Sequence, residues 1–187
     1  MNLISSRVNL CLEMLEKTLD VDGDIIEMGV YKGETTFQLS KYLLNNNSTK
    51  KVYACDTFTG IPEDDTMGIV KRGDFEYSLD DFTKDYKKLK LDNIITIDGN
   101  IDYTLEKYLN KNKFCFAWLD LDAYKSTLSG FKFINNHLSI GGIVGFHDYN
   151  FKHCLGVKKV VDENVDLKKY RKIKENNFCI FFKKLGE

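Results

Sequence analysis

Val8, Cys11, Leu12, Leu15 and Leu19 recur at the helical period and predict a covering helix within residues 1–20. Asp22-Gly23-Asp24 ends it. Residues 25–30 then run almost unbroken apolar, with Glu27 the one acid, as a strand buried on both faces does. Residues 35–44 return to the helical period, with Leu39 and Leu43 on one side. The alternation repeats down the chain. Residues 52–55 predict a strand ending at Asp56, and 94–97 one ending at Asp98-Gly99-Asn100, with Leu105, Tyr108 and Leu109 marking a helix after it. Residues 114–119 predict a strand ending at Asp120, followed by a helix carrying Leu128, Phe131, Ile134 and Leu138. Gly141-Gly142 then turns the chain into a strand at 143–146, which ends at His147-Asp148.

Strands alternating with helices predict right-handed crossovers and an α/β fold, a mostly parallel sheet with helices on both faces. The C-terminal part breaks the rhythm. After a helix carrying Val157, Val160 and Val161, residues 170–173 and 178–182 flank the turn-like Glu175-Asn176-Asn177, which predicts an antiparallel hairpin at one sheet edge and brings the strands to seven. Residues 57–92 hold the single proline, Pro62, and an aromatic-rich polar stretch. So long an insertion beside a sheet's carboxyl edge is expected to be a lid or substrate loop, with an oligomer contact the alternative.

At 187 residues the chain is expected to form one domain, 1–187. Twenty-seven Lys plus Arg against 28 Asp plus Glu leave a net charge of −1, without the basic excess of a nucleic-acid binder, so no nucleic-acid partner is expected. No apolar run approaches the ~20 residues that span a bilayer, and the first residues lack the order of a signal peptide. A cytoplasmic protein with no membrane partner is expected; a homo-oligomer stays open. The five cysteines are odd in number and widely spaced, which fits small core residues better than disulfides or a zinc site.

Ligands of open α/β sheets bind beyond the carboxyl ends of the strands, near the point where strand order reverses. Those ends carry Glu27, Asp56, Asp98 to Asn100, Asp120 with Asp122, and His147 with Asp148. Gly29 and Gly33 in the first turn allow either close ligand approach or an ordinary tight turn, but their spacing is not the dinucleotide fingerprint. Glu27, two positions before Gly29, suits a ligand bearing an ammonium, such as the methionine end of S-adenosylmethionine. Asp56 is placed to accept ribose hydroxyls, and Gly99-Asn100 to frame adenine or simply to turn the chain. Asp120 and Asp148, on adjacent strand ends, would repel unless a cation lay between them, which implies Mg²⁺ or Mn²⁺ with His147 as a further ligand or its support.

Together these residues resemble the macrocin O-methyltransferase family, a branch of the class I S-adenosylmethionine-dependent methyltransferases acting on sugar hydroxyls. The matching stretches are GDIIEMGVYKG at 23–33, DTFTGIP at 56–62, LDLDAYKST at 119–127, and the segment from Gly141-Gly142 through His147-Asp148-Tyr149, within a match over about 22–165. The resemblance implies the Rossmann-like methyltransferase sandwich. It implies donor contacts at Glu27, Gly29, Tyr31, Gly33, Asp56, Thr57, Gly99, Asn100 and Asp120, a metal at Asp120, His147 and Asp148, and a general base at Asp122. The branch usually has two aspartates where this chain has His147-Asp148. The acceptor implied is a small sugar or polyhydroxyl metabolite. Two other readings stay open: a nucleotide-sugar glycosyltransferase using Asp120-Leu121-Asp122 for its metal, and a non-catalytic binding module.

Overall fold

The computed structural model describes residues 3–186, and the side chains from Ser6 onward. Along the chain run α1 (Leu3–Glu16), β1 (Asp24–Met28), α2 (Glu34–Asn45), β2 (Val52–Asp56), α3 (Leu79–Lys88), β3 (Ile94–Asp98) and α4 (Ile101–Leu109). There follow β4 (Phe114–Leu119), α5 (Tyr124–His137), β5 (Leu138–Phe146), α6 (Leu155–Asn164), β6 (Tyr170–Glu175) and β7 (Ile180–Lys184). The sheet order is β3-β2-β1-β4-β5-β7-β6. The first five strands are mutually parallel, and β7 runs antiparallel between β5 and β6. The chain therefore winds outward from β1 in one direction and from β4 in the other, and the strand order reverses between these two.

Two apolar layers explain why β4, Phe-Cys-Phe-Ala-Trp-Leu, is buried at every position. On one face Leu105 of α4, Phe131 and Ile134 of α5, and Val157 and Val160 of α6 close over the sheet. On the other, Cys11, Met14 and Leu15 of α1, Leu39 and Leu43 of α2, and Phe82 of α3 do the same. Trp118 stacks on Phe181 with ring centroids 5.4 Å apart. A Cβ at Gly145 would come within 2.4 Å of the Phe181 ring, so glycine is what admits this stack. All five cysteines are buried and free, as small core residues should be. No helix among the described residues is long and apolar enough to cross a membrane.

Four boundaries depart from the sequence reading. The segment 57–92 is not one loop: it contains α3, the crossover helix from β2 to β3. The Ser78 side chain accepts the Asp81 N–H at 3.1 Å to cap it, and Phe82 is wholly buried. Leu138 lies not in the helix before β5 but in β5, paired with Phe114, because α5 ends at His137. Gly141-Gly142 sits inside that longer strand, beside a register shift, rather than forming a turn before it. Leu19 lies beyond the end of α1.

Candidate active site

At the carboxyl rim, where strand order reverses, lies a cavity of about 400 Å³. It takes Glu27, Gly29 and Tyr31 from the end of β1 and its turn, Asp56 and Thr57 from β2, Asn100 after β3, Asp120 and Asp122 after β4, and His147 and Asp148 after β5. Of the residues singled out at the strand ends and turns in the sequence, Gly33, Asp98 and Gly99 are absent from its wall. Gly33 adopts a left-handed conformation at the head of α2, where a Cβ would meet the Phe37 ring at 2.5 Å. Gly99 donates its N–H to the Asp56 carbonyl at 2.9 Å and turns the chain out of β3. Gly29 lines the cavity, yet the room its missing Cβ provides is filled by the protein itself. A Cβ there would sit 1.8 Å from the carbonyl oxygen of Asp120. These three glycines serve backbone fit, so their positions do not by themselves mark ligand approach.

Glu27 is 2% exposed and accepts a hydrogen bond from the Thr36 hydroxyl in the first turn of α2. Burial, which the Thr36 bond opposes and the charge of Asp120 reinforces, pushes its carboxyl up to about 8. Asp56 turns its carboxylate back onto the chain. Oδ2 accepts the N–H groups of Val30 and Tyr31 at 2.7 and 2.9 Å, and Oδ1 that of Phe58 at 2.9 Å. Asp56 thus fixes the first turn in place, and about one of its roughly four lone-pair sites is left for a hydroxyl. Asn100 caps α4 through Oδ1, which accepts the Asp102 N–H at 2.9 Å.

The acids after β4 and β5 converge. Asp120 Oδ1 lies 2.9 Å from His147 Nδ1, whose other neighbour is Asp148 Oδ2 at 3.1 Å. Burial of Asp120 opposes its ionisation, but His147 and Arg7 outweigh that and hold its carboxyl below the usual range. Asp122 behaves oppositely: burial first, then the charges of Asp120 and Asp148, drive its carboxyl well above the usual range. Tyr31, Asp122 and Asp148 all take left-handed backbone conformations, with φ of 49°, 58° and 55°. Such conformations in residues other than glycine gather at functional sites, where surrounding structure holds them.

Donor atoms of Asp120, His147 and Asp148 lie within 4.8 Å of one another, as do those of Asp122, Asp148 and Cys154. The first set, two carboxylates and an imidazole nitrogen, fits a divalent cation once the Nδ1 hydrogen leaves. Cys154, 3.9 Å from Asp122 Oδ1, was invisible as a neighbour because the chain must fold to bring it there. Arg7 was also missed. It reaches from α1 to Asp120 Oδ2 at 3.0 Å and to Glu34 Oε2 at 3.4 Å, and nothing in the local sequence of α1 marks it out.

The five parallel strands and the antiparallel β7 beside β5 form a Rossmann-like methyltransferase fold, with the cavity at its carboxyl rim. The chain belongs to the macrocin-O-methyltransferase (TylF) family, whose model matches residues 6–184. It is an O-methyltransferase by that membership, which displaces the glycosyltransferase and binding-module readings. The fold is similar to that of the O-methyltransferase NovP, with a TM-score of 0.84 at 20% identity over 96% of this chain and 80% of that one. It is similar to CalS11, a calicheamicin methyltransferase, with a TM-score of 0.82 at 20% identity, covering 96% of this chain and 79% of that chain. SMU.1697c, a putative methyltransferase from Streptococcus mutans solved in complex with SAH, gives a TM-score of 0.66 at 20% identity over 95% and 97% of the two chains. No curated protein matches the sequence at a significant level.

Proposed function

We propose that this protein transfers the methyl group of S-adenosylmethionine to a hydroxyl of a sugar or related polyhydroxyl metabolite, with a divalent cation, Mg²⁺ or Mn²⁺, held by Asp120, His147 and Asp148. The observation that carries this reading is that one cavity has Glu27 at the end of β1 and the converging Asp120, Asp122, His147 and Asp148 beyond β4 and β5. A site for a cationic donor and a site for deprotonating a hydroxyl thus share a wall. The sugar class is supported by the neighbours: CalS11 is described as a TDP-rhamnose 3'-O-methyltransferase.

The donor supplies an electrophilic methyl group on a sulfonium. In this reading Glu27 receives its ammonium, Gly29 and Tyr31 line its path, Asp56 and Thr57 meet the ribose, and Asn100, whose Oδ1 is committed to α4, offers its amide N–H groups to the adenine. A divalent cation, when bound, supplies a Lewis-acidic charge that lowers the pKa of an acceptor hydroxyl. Asp122 takes the proton as the hydroxyl oxygen bonds to the methyl carbon and the sulfur–carbon bond breaks. Burial and the charges of Asp120 and Asp148 raise the Asp122 carboxyl in the empty site, and positive charge beside it favours the ionised form that acts as a base. Holding two reactants in line contributes up to about 7–11 kcal/mol toward the barrier.

A second cavity of about 200 Å³ shares Arg7, His147 and Asp148 with the first and adds Phe151, Asn176 and Phe178. It is where the acceptor enters in this reading, with aromatic faces for the ring and polar groups for its hydroxyls. The balanced charge fits a small-molecule acceptor without nucleic acid, and a cytoplasmic location for a single methyltransferase domain. Incubating the protein with S-adenosylmethionine, Mg²⁺ and a panel of glycosides and nucleotide sugars, and detecting methylated product by mass spectrometry, tests the proposal. Product that disappears with chelator supports it in full; product unaffected by chelator removes the cation from it.

A further inference from the structure

The sheet order fixes which end of the donor lies where. If Asp56 and Asn100, beyond β2 and β3, take the adenosine, the aminoacyl end must lie over β1 and β4, the next strands in the sheet. That end carries two opposite charges, an ammonium and a carboxylate. Glu27 answers the first. The second is a difficulty, because Glu27, Glu34, Asp56, Asp120, Asp122 and Asp148 all line the cavity. A carboxylate entering such a wall is repelled unless a cation meets it.

Among the described residues, the cationic or cationisable side chains lining this cavity are Arg7, Lys32 and His147. The Nδ1 of His147 is committed to Asp120 and Asp148. Lys32 is exposed, with its ammonium 5.1 Å above the Tyr31 ring. Arg7 differs from both. It crosses from α1 to bridge Asp120 after β4 and Glu34 at the start of α2, which brackets the place the aminoacyl end must occupy. Two of its five N–H groups serve those carboxylates, which leaves a second hydrogen on each of Nη1 and Nη2; Nε is shut off from the surface with no partner among the described residues, and the side chain as a whole keeps 23% of its exposure. A guanidinium held in this way has donors to spare and a fixed orientation, the arrangement that suits a further carboxylate.

We propose that Arg7 binds the α-carboxylate of the donor's aminoacyl group, which makes α1 part of the donor site rather than only a cover for the sheet. The proposal rests on the S-adenosylmethionine reading above. It assigns Arg7 a binding role, not a catalytic one, and pairs it with Glu27 as the two recognisers of a zwitterion.

Calorimetry with three probes tests it: S-adenosylhomocysteine, its decarboxylated analogue, and 5'-deoxy-5'-methylthioadenosine, which lacks the aminoacyl chain. The wild-type protein is expected to bind S-adenosylhomocysteine about 10- to 100-fold more tightly than the decarboxylated analogue, the range of one charge-assisted pair. Arg7→Met is expected to erase that difference while leaving methylthioadenosine affinity within about threefold, so the loss depends on the carboxylate. Arg7→Lys, which keeps the charge, is expected to fall between and serves where Arg7→Met does not fold. Equal losses for all three probes would reduce Arg7 to a structural role and overturn the proposal. So would a wild-type protein indifferent to the carboxylate, or a carboxylate-selective loss in Lys32→Ala instead. A wild-type protein that binds none of the probes would remove the donor reading itself, and this inference with it.

Discussion

His147 Nδ1 stands between two carboxylates, 2.9 Å from Asp120 Oδ1 and 3.1 Å from Asp148 Oδ2. Since both neighbours are acceptors, Nδ1 carries a hydrogen, and that hydrogen occupies the place where the ends of β4 and β5 converge. Burial favours the neutral ring, but Asp120 and then Asp148 outweigh it and raise the imidazole to about 10. Together with Arg7, the protonated ring supplies the positive charge that the converging acids, taken from the sequence alone, demand of a metal. A cation entering here must displace a proton.

Cation affinity should therefore depend on pH. While His147 remains protonated, Mn²⁺ binding followed by calorimetry is expected to tighten about tenfold for each unit of rising pH. His147→Ala is expected to make that slope shallower, because the imidazole proton then no longer leaves. A pH-independent affinity in the wild type would place the cation away from Nδ1.

Asp122→Asn tests the base. The substitution keeps shape and removes proton-accepting capacity, so kcat is expected to fall about 10²- to 10⁴-fold. Affinity for S-adenosylhomocysteine should remain within about threefold. Asp120→Ala and Asp148→Ala are expected to abolish turnover in the same assay.

Glu27 gives a proton signature for donor binding. Its folded-state value of about 8 lies above the ordinary 4.5, so between those values folding takes up a proton and stability falls as pH rises. An ammonium placed against Glu27 favours the ionised form. Binding of S-adenosylhomocysteine at pH 7 is thus expected to release close to one proton, read from the buffer dependence of the calorimetric enthalpy. Affinity should rise with pH until about 8 and then level off. Glu27→Gln is expected to remove the buffer dependence.

Gly29→Ala examines the backbone instead of the chemistry. A Cβ at a φ of 84°, 1.8 Å from the Asp120 carbonyl oxygen, forces apart the ends of β1 and β4. A stability loss of at least about 2 kcal/mol is expected in denaturant unfolding, with donor affinity falling because Glu27 and Asp120 separate.

Much of this site was legible because a parallel sheet delivers the residue after each strand to one rim. Once residues 52–55 and 114–119 read as strands, Asp56 and Asp120 had to share an edge whatever the detailed packing. What escaped depended on contacts between distant segments. Arg7 meets Asp120 across 113 positions, and Asp56 spends its oxygens on Val30 and Tyr31, which no local pattern records. The helix α3 was different, since its signal was present. Ser78 and Asp81 stand three apart before Phe82 and Tyr86, a capping pattern obscured by the aromatic, polar run around it. Leu138 was misplaced because a strand entered without an intervening loop keeps the helical spacing of its first apolar residue.

The proposed function has donor and acceptor meet between Glu27 and the acids after β4 and β5. It is tested most directly by supplying S-adenosylmethionine with an isotope-labelled methyl group and Mg²⁺ to the protein with a panel of glycosides, and following the label by NMR. The expected result is a labelled O-methyl signal on a sugar, present with the wild type and lost with Asp122→Asn and Asp148→Ala. Label transferred equally well by those variants, or to nitrogen or carbon instead of oxygen, would contradict it.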